Sequence, residues 1–167
     1  LSQGSYGPEY QYGGENASSI GCIAIACAML AAGFGDTSVT MDSLCGSGGE
    51  YRGIYLNVEN IVNPVLAKHG LTTHIYGKHD GEYIKRLPNN FDRSIVEPEM
   101  DQALQNGYPI IMVAVRGKTG TFTNSTHYFL IVDVQVVDGQ KQYYCLTEWP
   151  RTTGWHSAEV IFSDFGG

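Results

Sequence analysis

Cys22, His127, Gln3 and Glu148 are the side chains of this sequence whose types and order could do chemistry. A thiolate attacks a carbonyl carbon, an imidazole takes and returns the proton, and a third polar group fixes that imidazole's tautomer. A side-chain amide beside the nucleophile's own backbone N–H holds the developing oxyanion. In that scheme Cys22 is the nucleophile, His127 the base, Gln3 the oxyanion donor and Glu148 the orienting group. Gln11 rivals Gln3, and Thr147 is a weaker alternative to Glu148. Asp133 lies six residues past His127, an even offset that keeps it on the same strand face but about 20 Å along the strand, beyond hydrogen-bond reach. His69, His74, His79 and His156 fall at a helix end, on a strand or in loops and read as surface histidines.

Position makes Cys22 stand out among the thiols. Ser18 and Ser19 are good helix caps, the run from Ile20 to Ala32 is apolar or alanine nearly throughout, and Gly33 is a stop. The spacing predicts a helix of about three turns, buried because it is apolar on every face. Cys22 falls in its first turn, where unpaired backbone N–H groups and the positive end of the macrodipole favour a thiolate. Cys27, five residues on, sits about 140° around the helix and reads as core.

The base and its partner belong to a β-rich second half. Pro109 to Val115 is a continuous apolar run and Thr126 to Val137 a long alternating one. Asp138-Gly139 is a two-residue hairpin signal, with Gln140 to Trp149 as the return strand. The hairpin carries residues near its far end back beside His127, which opens the first strand. Ala158 to Phe162 reads as a last short strand. Gly117 to Thr123, rich in glycine and threonine, reads as a mobile loop.

The intervening elements are helical. Thr37 or Ser38 caps a short helix to Leu44, and Gly46 to Gly53 is a loop. Asn57 caps another helix with Val58, Ile61, Val62, Val65 and Leu66 at helical spacing, kinked at Pro64 and ended by His69-Gly70. Leu71 to Tyr76 reads as a strand. Gly77 to Asn90 is polar and irregular, with Glu82 to Leu87 as a candidate helical turn. Pro98 to Gly107 reads as a helix with proline in its first turn and glycine at its end. Residues 1–17 form an irregular glycine- and tyrosine-rich arm. Helices first and an antiparallel sheet after them make an α+β layout, and 167 residues suit a single domain.

Composition excludes several classes. A net charge of −7 argues against a nucleic-acid binder, which needs a basic face, and against docking on anionic lipid. No apolar window is long enough to span a membrane. Charged residues make up only 16% of a chain with 21 glycines and 11 tyrosines, which points to a secreted or cell-surface protein. The chain opens on Leu1 without a methionine and reads as a mature secreted fragment or an excised domain. Its four cysteines have no paired spacing of zinc-site type. One bridge, Cys45 to Cys145, stays open.

Taken together these parts resemble a known family. Gly21-Cys22 followed by Ala28-Met29 is similar to the nucleophile helix of papain-like bacterial C39-type peptidases, the standalone C39-like domains. Ser2-Gln3, followed by the aromatic and glycine-containing stretch Tyr10 to Gly14, resembles that family's arm before the Gly-Cys helix. Ala103 to Val113 resembles its helix and strand before the histidine, and Thr126-His127-Tyr128 its histidine motif. The likeness runs over nearly the whole chain, with Leu56 to Ser94 matching least. Two positions depart from it: Ile23-Ala24 replaces the usual Gly-Pro after the cysteine, and Thr147-Glu148-Trp149-Pro150 replaces the usual Asn-Asp-Pro. Anchored on Pro150, Trp149 takes the acid's place; with a one-residue slip, Glu148 does.

The resemblance implies a papain-like fold, a cysteine peptidase of bacterial origin, a peptide or protein substrate and no cofactor. Two other readings remain: a peptidoglycan amidase or endopeptidase using the same residues, and a papain-like binding module without turnover. The aromatic side chains Tyr6, Tyr10, Tyr12, Trp149 and Trp155 are candidates for a substrate groove or for ordinary packing.

Overall fold

The computed structural model describes residues 11–12, 15–16, 21–54, 58–74, 93–115, 119–123 and 126–164. The chain divides into two compact units, Leu1–His74 and Ile75–Gly167. Helices and a four-stranded antiparallel sheet give the α+β class that the element order predicts.

The first unit is built on one buried helix. Strands β1 (Gln11–Tyr12) and β2 (Glu15–Asn16) pair as a minimal ladder in the stretch expected to be irregular. Helix α1 (Cys22–Gly33) buries Ile23, Ala24, Ile25, Ala26, Cys27, Ala28, Leu30 and Ala31. Residues on every side of the cylinder are covered, as the unbroken apolar run demands. Its alanines let neighbouring helices approach closely. Gly21 is the N-cap, so no side chain closes this end; Ser18 and Ser19, the expected caps, lie outside the described residues. The helix unwinds through Phe34, and Gly35 takes the left-handed φ of +89° that lets the chain turn away.

Helix α2 (Met41–Cys45) starts later than the sequence suggests. Thr40, not Thr37 or Ser38, is its cap: Ser43 N donates to the Thr40 hydroxyl and Thr40 N donates to Ser43 Oγ, a reciprocal capping box. Asp36 instead accepts from Ser38 N and Oγ, which holds Ser38 in a turn. The expected third helix is two segments, a π-helical turn (Val58–Val62) and helix α3 (Asn63–Ala67). Pro64 sits in the first turn of α3, where its missing N–H costs nothing, so the switch of helix type replaces a kink. Leu71–His74 forms no strand. Asn57, Gly77 to Asn90 and the turn expected at Glu82 to Leu87 lie outside the described residues.

In the second unit, helix α4 spans Arg93–Gln105 with Pro98 inside it. The helix therefore begins five residues before the expected proline start. Arg93 Nε donates to Glu97 one turn on at 2.7 Å, supporting the turn that the proline weakens. Strands β3 (Ile110–Val115), β4 (Thr126–Val137), β5 (Gln140–Leu146) and β6 (Gly154–Ser157) follow in spatial order β3-β4-β5-β6. Asp138 and Gly139 both take positive φ, 50° and 76°, as the tight hairpin between β4 and β5 requires.

The expected last strand at Ala158–Phe162 is helix α5 (Ala158–Ser163). Ser157 ends β6 and caps this helix by accepting from Val160 N, which the short apolar run could not reveal. The core beneath the sheet joins Met100 and Leu104 of α4, Met112, Ala114, Phe129, Ile131, Tyr143 and Cys145 of the strands, and Ala158 and Ile161 of α5. All four cysteines are free thiols, so the Cys45–Cys145 bridge is absent.

Candidate functional site

In the first unit, Cys22 is the first residue of α1 and is partly exposed, whereas Cys27, Cys45 and Cys145 are fully buried. Ile25 N, bonded to Gly21 O, makes the helix's first intrahelical bond. The amides of Cys22, Ile23 and Ala24 precede it and have no carbonyl one turn back within the helix. No acidic residue stands in that first turn to oppose a negative charge. Burial pushes the Cys27 thiol up to about 12, with Cys45 adding to the rise. Burial alone does the same to Cys145. Both are core thiols, as expected for Cys27.

In the second unit, His127 and Glu148 meet. His127 is the second residue of β4, opposite Ala114 of β3. On the other side Leu146 of β5 pairs with Leu130, so Glu148 and Trp149 run back alongside Tyr128 and His127. His127 Nε2 stands 3.0 Å from Glu148 Oε2, and both side chains are almost wholly buried. The two atoms are at ion-pair distance without the alignment of a ring N–H hydrogen bond. Neither Glu148 oxygen accepts a hydrogen bond among the described residues. A buried carboxylate so placed depends on the imidazole for compensation.

Glu148 and Trp149 take different directions from the chain. Trp149 lies flat on the His127 ring, with centroids 4.4 Å apart and planes 12° apart. Phe129 flanks the same imidazole at 5.8 Å. Glu148 thus faces the nitrogen and Trp149 covers the ring. The Arg151 guanidinium lies over the indole, 5.7 Å from its centroid. Trp155 packs edge-on against Tyr144 instead.

Thr147 does not face His127. Its hydroxyl donates to Trp149 O at 2.8 Å and lies 2.7 Å from the Thr152 hydroxyl. Asp133 is exposed and accepts from Val134 N. A bulge between Ile131 and Asp133 breaks the two-residue repeat, so the even offset from His127 does not keep it on the buried face. Gln3, Tyr6 and Tyr10 lie outside the described residues, and so does the side chain of Gln11. His69 pairs with Asp36 at 2.9 Å, and His156 Nε2 lies 2.9 Å from Thr152 O. His79 lies outside the described residues.

The loop before His127 is pinned where it is described. Asp164, at the end of α5 and 1% exposed, accepts from Thr119 N, Thr119 Oγ1 and Thr121 N at 2.7 to 3.1 Å. Phe122 is buried and stacks on Phe129 with centroids 4.5 Å apart. Thr119 to Thr123 is therefore an anchored segment, because a buried carboxylate far along the sequence holds it. Gly117 and Lys118 lie outside the described residues. Among the described residues no cluster of His, Cys, Asp and Glu side chains is fit to hold a metal ion, and no helix is long and apolar enough to cross a membrane.

Compared with family models, with curated proteins and with solved structures, the chain matches none.

Proposed function

We propose that this chain is a papain-like cysteine hydrolase of amide bonds, of the C39-like type its sequence resembles. The observation that carries the proposal is the buried His127–Glu148 pair at 3.0 Å under the Trp149 ring. A carboxylate held against one ring nitrogen selects the tautomer that leaves Nδ1 to accept a proton. The amino end of α1 supplies the other half of the chemistry, a partly exposed thiol in a first turn whose amides have no carbonyl one turn back within the helix.

In the proposed reaction His127 Nδ1 takes the Cys22 proton and the thiolate sulfur adds to the carbonyl carbon. The Cys22 N–H and the Gln3 amide hold the resulting oxyanion. Collapse breaks the C–N bond, the imidazolium gives its proton to the departing amine, and a thioester remains. Water, deprotonated by the same imidazole, then releases the acid and restores the thiol. Peptides or proteins, including peptidoglycan peptides, are the substrate class, and a secreted or surface location suits the low charge.

The deciding experiment is the rate of iodoacetamide alkylation at each cysteine at neutral pH, read by peptide mass spectrometry. Cys22 alkylates first, and His127→Ala slows it by about tenfold, because the imidazole raises the thiolate fraction. A Cys22 rate that ignores the residue at 127 overturns the assignment. The binding-module reading then takes its place.

A further inference from the structure

We infer that Thr147, Thr152 and Thr153 are positioning residues, whose hydroxyls clamp the turn after β5 and so aim the Glu148 carboxylate at His127. Glu148 gains no hydrogen bond of its own among the described residues. Hydrogen bonds to its own oxygens therefore do not fix its direction, and the main chain that carries it must. The backbone on either side of it is fixed at both ends. On the preceding side, the Thr153 hydroxyl accepts from Thr147 N and donates to Thr147 O, both at 3.1 Å. On the following side, Trp149 N donates to the Thr147 hydroxyl at 3.1 Å. Trp149 O in turn accepts from the Thr147 hydroxyl at 2.8 Å and the Thr152 hydroxyl at 3.2 Å. The amides of Thr152 and Thr153 point at the same carbonyl.

The clamp is built for rigidity. Thr147 and Thr152 are buried, 7% and 4% exposed, with hydroxyls 2.7 Å apart. Buried hydroxyls that satisfy one another and the main chain leave the turn few other arrangements, since each broken contact strands a polar group. Beyond the clamp, Gly154 takes φ +139°, a conformation that side chains rarely adopt, and the chain enters β6. Glu148 and Trp149 thus project from a short, doubly tied bend. A displacement of the order of 1 Å in such a carboxylate is enough to lose its hold on a tautomer.

The inference rests on the proposed function for its consequence in turnover, but not for its first readout. The ring nitrogens of His127 are observed by 15N NMR in mildly alkaline buffer in the wild type and in Thr152→Val, Thr153→Val, Thr152→Ser and Glu148→Ala. The wild type and Thr152→Ser show one dominant tautomer, protonated at Nε2. Thr152→Val and Thr153→Val shift the tautomer ratio by about tenfold toward the Glu148→Ala mixture, the loss expected when a charged acceptor is misaligned. Should Thr152→Val fail to fold, the Thr153→Val and Thr152→Ser pair carries the test. Valine variants that unfold at lower urea yet keep the wild-type ring signals overturn the inference, as does a wild type with no dominant tautomer. Cys22 alkylation is measured on the same samples. Ring signals that shift in the valine variants support the clamp whatever that rate does, and a Cys22 rate unchanged by His127→Ala overturns the hydrolase reading alone.

Discussion

The indole of Trp149 covers the imidazole of His127 almost in parallel, 12° from coplanar and 4.4 Å between centroids. A stacked pair of this kind contributes about 0.5–1.5 kcal/mol beyond the area it buries, and here it covers one face of an imidazole whose side chain is 2% exposed. Trp149→Ala opens the His127–Glu148 contact to solvent, where an ion pair is worth far less. The expected result is a stability loss of about 2 kcal/mol and, on the proposed hydrolase reading, a drop in turnover of about tenfold. Trp149→Phe, which keeps a flat ring, recovers most of both. Urea unfolding with a peptide hydrolysis assay checks this, and a Trp149→Ala variant as active as the wild type excludes the shielding role.

The orienting role proposed for Glu148 can be separated into charge and shape. Glu148→Gln keeps an oxygen facing Nε2 but loses the charge that compensates an imidazolium. Glu148→Ala loses both and leaves a buried imidazole without its carboxylate. On the proposed hydrolase reading turnover falls by about a hundredfold in both, because the glutamine also presents an NH2 that can face Nε2 and select the wrong tautomer. Combined with Cys22→Ala, neither change costs more than Cys22→Ala alone, since residues acting as a unit are not additive. Steady-state kinetics of the single and double variants decide this.

The buried thiols predict an alkaline limit on stability. Cys27 and Cys145 ionise near 9 when exposed and are pushed up to about 12 by burial in the fold. Burial and the Asp101 carboxylate raise Tyr143 as well. Between these values the unfolded chain has released protons that the folded chain still holds, so stability falls as pH rises. The contribution is intact below about 9 and is lost progressively up to about 12. At roughly pH 10.5 each thiol has cost about 2 kcal/mol relative to neutral pH. Cys27→Ala removes one such term, so its urea midpoint falls less steeply with pH than the wild type's. Parallel slopes for the two proteins rule out this origin.

What the sequence made legible follows from how local each signal is. The all-apolar run around Ile23 to Leu30, the alternation of Thr126 to Val137 and the Asp138-Gly139 turn all depend on neighbours within a few residues, and all three elements form where expected. So does the closeness of His127 and Glu148, because a tight hairpin sets the register and register decides which residues run side by side. Three features were not legible. The Ala158 segment is a helix because Ser157 caps it and the core receives Ala158 and Ile161, a tertiary outcome that a five-residue run cannot encode. Helix α4 runs through Pro98 with Arg93 tied to both Glu97 and Glu159, and neither the start before the proline nor the distant partner has a local signal. The threonine clamp escaped notice because hydroxyls at 147, 152 and 153 have no motif. Their one signal is three threonines within seven residues, next to the candidate acid.

Asp164 ties the end of α5 to the segment that leads into the His127 strand. A carboxylate at a helix carboxyl end works against the macrodipole, and three donors from Thr119 and Thr121 offset that cost. Hydrogen bonds to a charged group are worth about 1.5–3 kcal/mol each, and not additively. Asp164→Ala removes the acceptor of all three donors, two of them on the exposed Thr119, and is expected to destabilise the second unit by about 2 kcal/mol. Asp164→Asn, which keeps an acceptor but presents an amide to one backbone N–H, costs about half as much. The local signature is faster hydrogen exchange at the Thr119 and Thr121 amides, with the β4–β5 ladder protected to the new global limit. Exchange that quickens equally throughout the unit would mean that Asp164 supports the whole core rather than this one segment.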